Sequence, residues 1–332
     1  MNELRARLAA VPALEPELSA DTKRLVEQDV AYLGSDEALA LIARDPYWPK
    51  WDAPYWSMVL LWELGEAARI PQRAVDAMIV RMNAMEHFFP LRDEEIPSGK
   101  TIMDIPCHCQ LGTIDQVLAA RGVDVDAALP WLRPWFDRYQ MADGGLNCDE
   151  KMYLVDGEVP SSMVGTIPGF EAMQRRGASV FVERAAAMVQ GRRGCMGSHT
   201  LTNKEERDSA VHWSELTFPR FYLYDTLRGL TALVRWATAQ NRTLPLIAIA
   251  HVVDDLCKQF PDGVVRIGRR AFAEHSQTRD PEKAIDAPRR LARTRPLLDA
   301  VSKIGDPSPS LTREWTDTRA KLLSLMDRGR VS

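Results

Sequence analysis

Residues 218–238 read FPRFYLYDTLRGLTALVRWAT, and this stretch sets the expected fold class. After Pro219, apolar side chains recur three and four positions apart, the spacing of one face of an α-helix. The same spacing predicts helices at residues 22–33, 55–68, 72–87, 111–121, 128–139, 179–190, 221–238, 244–260 and 313–327. Because no alternating run of β-branched residues predicts a strand, we expect an all-α protein.

The composition limits the classes of function. Of the 332 residues, 45% are hydrophobic and 27% are charged, which is enough apolar material for a large core. The net charge of −4 offers no basic field to a nucleic acid. No segment approaches the roughly 18 apolar residues of a membrane span, and the N-terminus lacks the apolar core of a signal peptide. The five cysteines, an odd number, indicate reduced thiols, so we expect a cytoplasmic protein that has no membrane span and binds no nucleic acid.

The sequence predicts one domain. No break in composition divides residues 1–332, and no feature indicates an oligomeric state. Residues 276–310 are the most polar and proline-rich stretch, which we interpret as a surface connection before a C-terminal helix at 311–328.

Two short segments look alike. Residues 140–146 read QMADGGL and residues 259–265 read QFPDGVV, so both follow the pattern Gln-x-x-x-Gly-x-aliphatic with Asp before the first Gly. Each segment closes a helical run. The pattern therefore predicts a repeated helical unit that buries its apolar face against its neighbours.

The repeated pattern resembles the QW motif of the prenyltransferase and squalene-cyclase repeat superfamily, with Leu146 and Val265 in place of Trp. PCHCQLG at 106–112, DGGLNC at 143–148 and FPRFYLYDTLRGL at 218–230 resemble segments of bacterial members. The resemblance covers about residues 36–265. It implies an α/α toroid, in which inner and outer helices alternate around a central cavity.

The resemblance does not carry over the known activities. The D-x-D-D motif of the cyclases is absent at residues 123–126 and 251–255, and D-D-x-x-D is absent after Asp255. The zinc ligands of the protein prenyltransferases correspond to Ser161, Ser162 and Tyr222 here. Fold alone therefore does not settle the chemistry.

A set of cysteines and histidines is the first candidate site. Cys107, Cys148, His199 and His212 offer the sulfur and nitrogen ligands that Zn²⁺ prefers, and Cys107 follows a proline suited to a helix start. The helix N-terminus would lower the pKa of the Cys107 thiol and make it reactive. If both lie in a helix, Cys107 and Cys109 point about 200° apart, so we expect only one of them to bind the ion. The alternative is ordinary buried thiols.

The helix after Pro219 is the second candidate site. Asp225 is the expected acid or base, Tyr224 a donor and Arg228 the group that tunes the carboxylate. The alternative is a structural ion pair between Asp225 and Arg228. Substrate contacts are expected from residues of that stretch, from Ser162 and from an aromatic-rich helix start. They are Arg220, Tyr222, Ser162, Tyr55 and Trp56.

Three functions stay open at this point. The favoured hypothesis is an enzyme that acts by acid–base chemistry on a small hydrophobic or isoprenoid-like molecule in the toroid cavity. The second is a zinc-dependent enzyme that uses the Cys/His site, with Zn²⁺ as the candidate cofactor. The third is a non-catalytic toroid that serves as a binding module. An aromatic cavity suits a hydrophobic ligand, whereas core packing is the alternative fate of Tyr55 and Trp56.

Overall fold

The computed structural model describes residues 1–100, 104–280, 283 and 287–332. These residues are mostly helical, which confirms the all-α class. The α-helices of the described part are α1 Asn2–Ala10, α2 Ala20–Leu33, α3 Asp36–Arg44, α4 Pro54–Glu63, α5 Gln72–Asn83, α6 His108–Ala120, α7 Val125–Ala128, α8 Leu132–Tyr139, α9 Met163–Gln174, α10 Val180–Gly191, α11 Lys204–Ala210, α12 Thr226–Ala239, α13 Leu246–Gln259, α14 Pro296–Val301 and α15 Pro309–Asp327. Two short antiparallel strands, β1 Gln277–Thr278 and β2 Arg290–Leu291, were not expected.

Four helices form the centre of the protein. Helices α4, α6, α9 and α12 contact one another in chain order, and α12 also contacts α15. The first eight residues of α4 are all buried, and so are the first eleven of α6. The surrounding helices, such as α5 and α13, are buried on one side only. Spacing predicted helices in both groups, at 55–68, 111–121 and 221–238 among the central helices and at 72–87 and 244–260 among the surrounding ones.

Helices α6 and α9 approach each other backbone to backbone. A Cβ atom on Gly112 would lie 2.3 Å from the carbonyl carbon of Pro168 and 2.4 Å from the backbone nitrogen of Gly169. Only glycine fits at such distances. This contact fixes where the loop between α8 and α9 meets the start of α6.

The stretch after Pro219 is less helical than its spacing predicts. Helix α12 begins at Thr226, and Phe221 has a φ of 56°, which a helix does not allow. Asp225 is the N-cap, because its carboxylate accepts a hydrogen bond from the Arg228 backbone N–H. The predicted helix over 221–225 is therefore wrong.

The predicted repeat has a counterpart in the backbone. Gly144 and Gly263 have φ values of 97° and 76°, and each follows an Asp. Asp143 accepts a hydrogen bond from the Gly145 N–H, and Asp262 accepts one from the Val264 N–H. The two segments thus form the same turn, which confirms the similarity seen in sequence.

The C-terminal part agrees with the expectation in outline. The last helix, predicted at 311–328, is α15. The connection predicted over 276–310 contains β1, β2 and α14, and part of it lies outside the described residues. Every helix of the described part is too short or too polar to span a bilayer.

Candidate metal centre

The start of α6 places two thiols side by side. Cys107 is the N-cap and has an extended backbone, with φ −96° and ψ 163°, so it does not follow the helical rotation. Its Sγ lies 3.2 Å from the Sγ of Cys109. The expectation that these side chains diverge is therefore wrong, because it assumed a helical conformation for both residues.

Cys148 is the third thiol of the cluster. The turn at Gly144 and the loop after it bring Cys148 to the first turn of α6, where the Cys109 N–H donates to its Sγ at 3.4 Å. The sulfurs of Cys107, Cys109 and Cys148 all lie within 4.8 Å of one another. Cys107 and Cys148 are partly exposed, whereas Cys109 is buried. We call these three residues the thiol cluster.

The thiol cluster favours one thiolate over the others. Hydrogen bonds from the Cys109 and Cys148 thiols, together with one from the Gln110 N–H, hold the pKa of Cys107 well below its usual value. The same hydrogen bond with Cys107 raises the pKa of Cys109 well above its usual value. Cys107 is therefore the thiol of the cluster that loses its proton most readily.

Lys50 and Tyr222 lie beside the thiol cluster. The Lys50 ammonium donates to the Tyr222 hydroxyl at 2.9 Å and lies 4.9 Å from the centre of the Tyr222 ring. Burial opposes the charge of Lys50, but Tyr222 and the thiols of Cys109 and Cys107 raise the pKa of its ammonium. Within the described residues, Lys50 forms no ion pair with a carboxylate. The positive charge of Lys50 thus lies near the sulfurs of Cys107 and Cys109.

Aromatic rings surround this ammonium. Tyr47, Trp48 and Trp51 place their ring centres 5.8, 5.5 and 5.9 Å from the Lys50 Nζ. Tyr55 and Trp56 lie behind them, and both are buried. Burial is the main cause, and the nearby thiols a further cause, of the raised pKa of Tyr55. The expected substrate contacts Tyr55, Trp56 and Tyr222 therefore gather at the thiol cluster.

His108 lies between the two cysteines of α6 but points away from the sulfurs. The Trp135 indole N–H donates to its Nδ1 at 2.8 Å, and its Nε2 lies 3.0 Å from the Tyr153 hydroxyl. Burial lowers the pKa of His108 to about 4, so the ring is neutral. Because Nδ1 accepts, Nε2 carries the proton and donates to Tyr153. Both nitrogens are engaged, and His108 is not available as a metal ligand.

The histidines predicted as ligands lie elsewhere. His199 and His212 are exposed, and the Nδ1 of His212 lies 3.2 Å from a carboxylate oxygen of Glu215. Neither is in the metal-ligand group that the structure forms from Cys107, Cys109 and Cys148. These histidines were predicted as ligands only because histidine often binds zinc, and residue type does not determine where a side chain lies in the fold.

The carboxylate of Asp225 is buried and is not accessible to a ligand. Its carboxylate is fully buried and accepts hydrogen bonds from the backbone N–H groups of Thr217 and Arg228. The Arg220 guanidinium adds two more, at 2.7 and 3.0 Å. With these acceptors occupied, Asp225 is a structural anchor, and the expected acid–base role has no support in this geometry.

The other residues of that constellation also hold the fold together. Arg228 pairs with Glu171 at 2.9 and 2.6 Å rather than with the carboxylate of Asp225. The Tyr224 hydroxyl is buried and donates to the Gly194 carbonyl at 2.7 Å. Ser162, expected to contact substrate, is the N-cap of α9 and accepts from the Gly165 N–H. Arg220, also expected to contact substrate, pairs with the carboxylates of Asp225 and Glu314.

Sequence reasoning missed two residues of the candidate site. Lys50 carried no motif, and Cys109 was not expected to bind the ion together with Cys107. The nearest signal in the sequence was the cluster of aromatic residues on either side of Lys50, because the faces of aromatic rings attract a cation.

Comparison of the chain with protein-family models, with curated proteins and with solved structures gives no match.

Proposed function

We propose that this protein is a zinc-dependent enzyme in which Cys107, Cys109 and Cys148 hold the metal. The observation that carries the proposal is the group of three sulfurs within 4.8 Å at the start of a buried helix. Thiolates are preferred ligands of Zn²⁺, and sites with three protein ligands and an open fourth position are typical of catalytic zinc. Cys107 and Cys148 are partly exposed, which would let a ligand approach that position.

The surrounding residues suit this chemistry. A zinc ion held by the thiol cluster would supply Lewis acidity at its open position. Three thiolates around a divalent ion leave a net negative charge, and the Lys50 ammonium offsets it. The Tyr222 hydroxyl accepts a hydrogen bond from Lys50 and keeps its own proton to donate to a bound ligand. Burial raises the pKa of Tyr222, so the hydroxyl stays protonated at neutral pH.

We further propose that the helices form an α/α toroid and that the substrate is a small hydrophobic molecule. Support for the toroid comes from the chain-order contacts of α4, α6, α9, α12 and α15, together with the hydrogen bond from Arg313 to the Leu64 carbonyl that links α15 back to the end of α4. Support for the substrate comes from the rings around Lys50. Tyr47, Tyr55 and Trp56 pack with centroid distances of 4.7 to 5.1 Å and form an apolar wall.

Elemental analysis of untagged protein purified without chelator tests the proposal. We expect about one zinc per chain, the count of a single three-thiolate site. Cys107→Ser and Cys148→Ser should each remove the metal. Cys257→Ser is the matched control, because Cys257 is also a free thiol but lies on α13 and is not part of the cluster. A wild-type protein without metal, or equal metal in the Cys148→Ser variant, would contradict the proposal.

A further inference from the structure

Two thiols of the thiol cluster lie close enough to form a covalent bond with each other. The Sγ atoms of Cys107 and Cys109 are 3.2 Å apart. A disulfide joins its sulfurs at about 2.05 Å, so the gap to be closed is about 1.2 Å. The extended backbone of Cys107 directs its side chain to the first turn of α6, where Cys109 lies. The pair is therefore placed for oxidation as well as for metal binding.

Cys107 is the member of this pair that a small oxidant reaches first. Its side chain is partly exposed, whereas Cys109 is buried, with 4% of its surface exposed. An oxidant that arrives from solvent therefore reacts with Cys107, and the fold protects Cys109 from direct attack. The sulfur of Cys109 nevertheless contacts the sulfur of Cys107, so it can react with the oxidised product.

A hydroperoxide supplies an oxidation that balances. The Cys107 thiol attacks the O–O bond of hydrogen peroxide, takes up one oxygen as a sulfenic acid and releases one water. The Cys109 sulfur then displaces the hydroxyl group of this sulfenic acid, which forms the S–S bond and releases a second water. The two thiols lose two electrons and two protons in all, and the peroxide is reduced to two waters.

A disulfide at this position and bound zinc exclude each other. Zinc takes sulfur ligands as thiolates, and the sulfurs of a disulfide are no longer thiolates. Of the three sulfurs that lie within 4.8 Å of one another, only that of Cys148 would stay a ligand. A single thiolate does not hold the ion in a site built for three, so oxidation would release it.

We propose that hydroperoxides regulate this site by converting Cys107 and Cys109 into a reversible disulfide that releases the metal. The bridge spans a single intervening residue, so its ring is short and strained, and a strained disulfide is easily reduced. A thiol reductant, itself oxidised to a disulfide, restores the two thiols. The release of zinc rests on the proposed function, whereas the formation of the disulfide does not.

Mass spectrometry of the full chain treated with hydrogen peroxide tests the disulfide. A chelator first removes any metal, so that the result does not depend on zinc. We expect the intact mass to fall by two hydrogens and dithiothreitol to restore it. A peptide map after alkylation should show Cys107 and Cys109 protected and Cys148 alkylated. A gain of oxygen atoms without a bridge, or a bridge between other cysteines, would overturn the proposal.

A variant and a matched control test the role of Cys109. Cys109→Ser should slow the formation of any internal disulfide at least tenfold, and Cys107 should proceed to the sulfinic acid. Cys195→Ser should leave the rate unchanged, because Cys195 is also a partly exposed free thiol but is not part of the cluster. An unchanged rate in Cys109→Ser would refute Cys109 as the partner. The peptide map of the wild-type protein decides the same point if this variant does not fold.

A zinc indicator dye tests the regulation. Wild-type protein that carries zinc should release it as the disulfide forms, and it should bind zinc again after reduction and removal of the reductant. Zinc that stays bound after the bridge has formed would refute the regulatory role. A protein that carries no zinc before oxidation contradicts the proposed function instead, and the mass measurement on the metal-free chain still decides whether the disulfide forms.

Discussion

The turns at Gly144 and Gly263 share one hydrogen-bond scheme. After the first turn, the Leu146 N–H donates to the Thr166 hydroxyl, and the Leu146 carbonyl accepts from the Ser162 N–H at 2.8 Å. After the second turn, the residues in these roles are Val265, Thr312 and Ser308, with the same 2.8 Å hydrogen bond. Ser162 caps α9, and Ser308 caps α15. Each turn is therefore bonded to the N-cap and first turn of a later helix, α9 for the first turn and α15 for the second.

The two turns differ in the residues that come after the aliphatic position. The first turn continues into Asn147 and Cys148, and Cys148 joins the thiol cluster. The second continues into Arg266 and Ile267 and carries no thiol. The shared hydrogen bonds determine the backbone of the two turns, whereas the side chains that follow determine which turn contributes a residue to the candidate site. This is why the repeat predicts the fold better than the function.

The largest expected effect comes from the glycines at the turns. A Cβ atom on Gly144 would lie 2.3 Å from the Arg184 carbonyl oxygen, and one on Gly263 would lie 2.5 Å from the Pro12 carbonyl oxygen. With the positive φ added, each Gly→Ala change should lower the free energy of unfolding by about 3 kcal/mol. Urea denaturation measures this change in the free energy of unfolding.

Metal content separates the two glycine variants. Gly144→Ala should also lower the zinc content, because it displaces Cys148, and Gly263→Ala should not. Gly122→Ala is the control, since Gly122 has a φ of 91° but open space around it, and should cost about 1–2 kcal/mol. Equal metal loss in both turn variants would show that the turns do not differ in function.

A smaller effect is expected from the threonines. Thr166→Val and Thr312→Val keep the side-chain shape but leave the amide of Leu146 or Val265 without an acceptor. An unsatisfied buried amide costs about 1–3 kcal/mol, so we expect similar losses of about 2 kcal/mol in thermal unfolding. Thr238→Val is the control, because the Thr238 hydroxyl has no partner within the described residues. A loss in only one of the two variants would break the equivalence.

The smallest effect concerns the aspartates of the turns. A hydrogen bond from Arg266 lowers the pKa of the exposed Asp262 below its usual value of 3.8. Its folded-state pKa is depressed, so its contribution to stability is present above pH 3.8 and is lost as the pH falls through the folded pKa. Asp262→Asn should therefore lower the melting temperature slightly at pH 7 and not at all at low pH. Asp143→Asn should cost more at pH 7, since Asp143 also accepts from the Ser161 hydroxyl. A larger loss of stability at pH 7 in Asp262→Asn than in Asp143→Asn would contradict this prediction.

The sequence predicted the amphipathic helices well and missed a central one. Spacing reveals a helix with one apolar face, such as α13, whereas α9 is buried on nearly all sides and has Pro168 inside it. An all-apolar segment with glycine and proline has no period to detect. The spacing therefore predicted the central helices α4, α6 and α12 at least in part and missed α9.

The sequence predicted only part of the candidate site. Residue type pointed to Cys107 and Cys148, and the structure brings these two together. Sequence reasoning excluded Cys109 on helical geometry, but the N-cap backbone of Cys107 is extended. The histidines were chosen without knowledge of which loops meet.

The sequence by itself determined the helical class, the paired turns and the thiol at the end of one of them. These features depend on local chemistry: helical spacing, glycine at positive φ and an aspartate that accepts a nearby amide. Tertiary structure alone decided that three sulfurs converge and that Arg220 and two backbone N–H groups occupy the buried carboxylate of Asp225. Each of these depends on contacts between distant segments, and a buried group's charge and reactivity are set by the groups that those segments place around it.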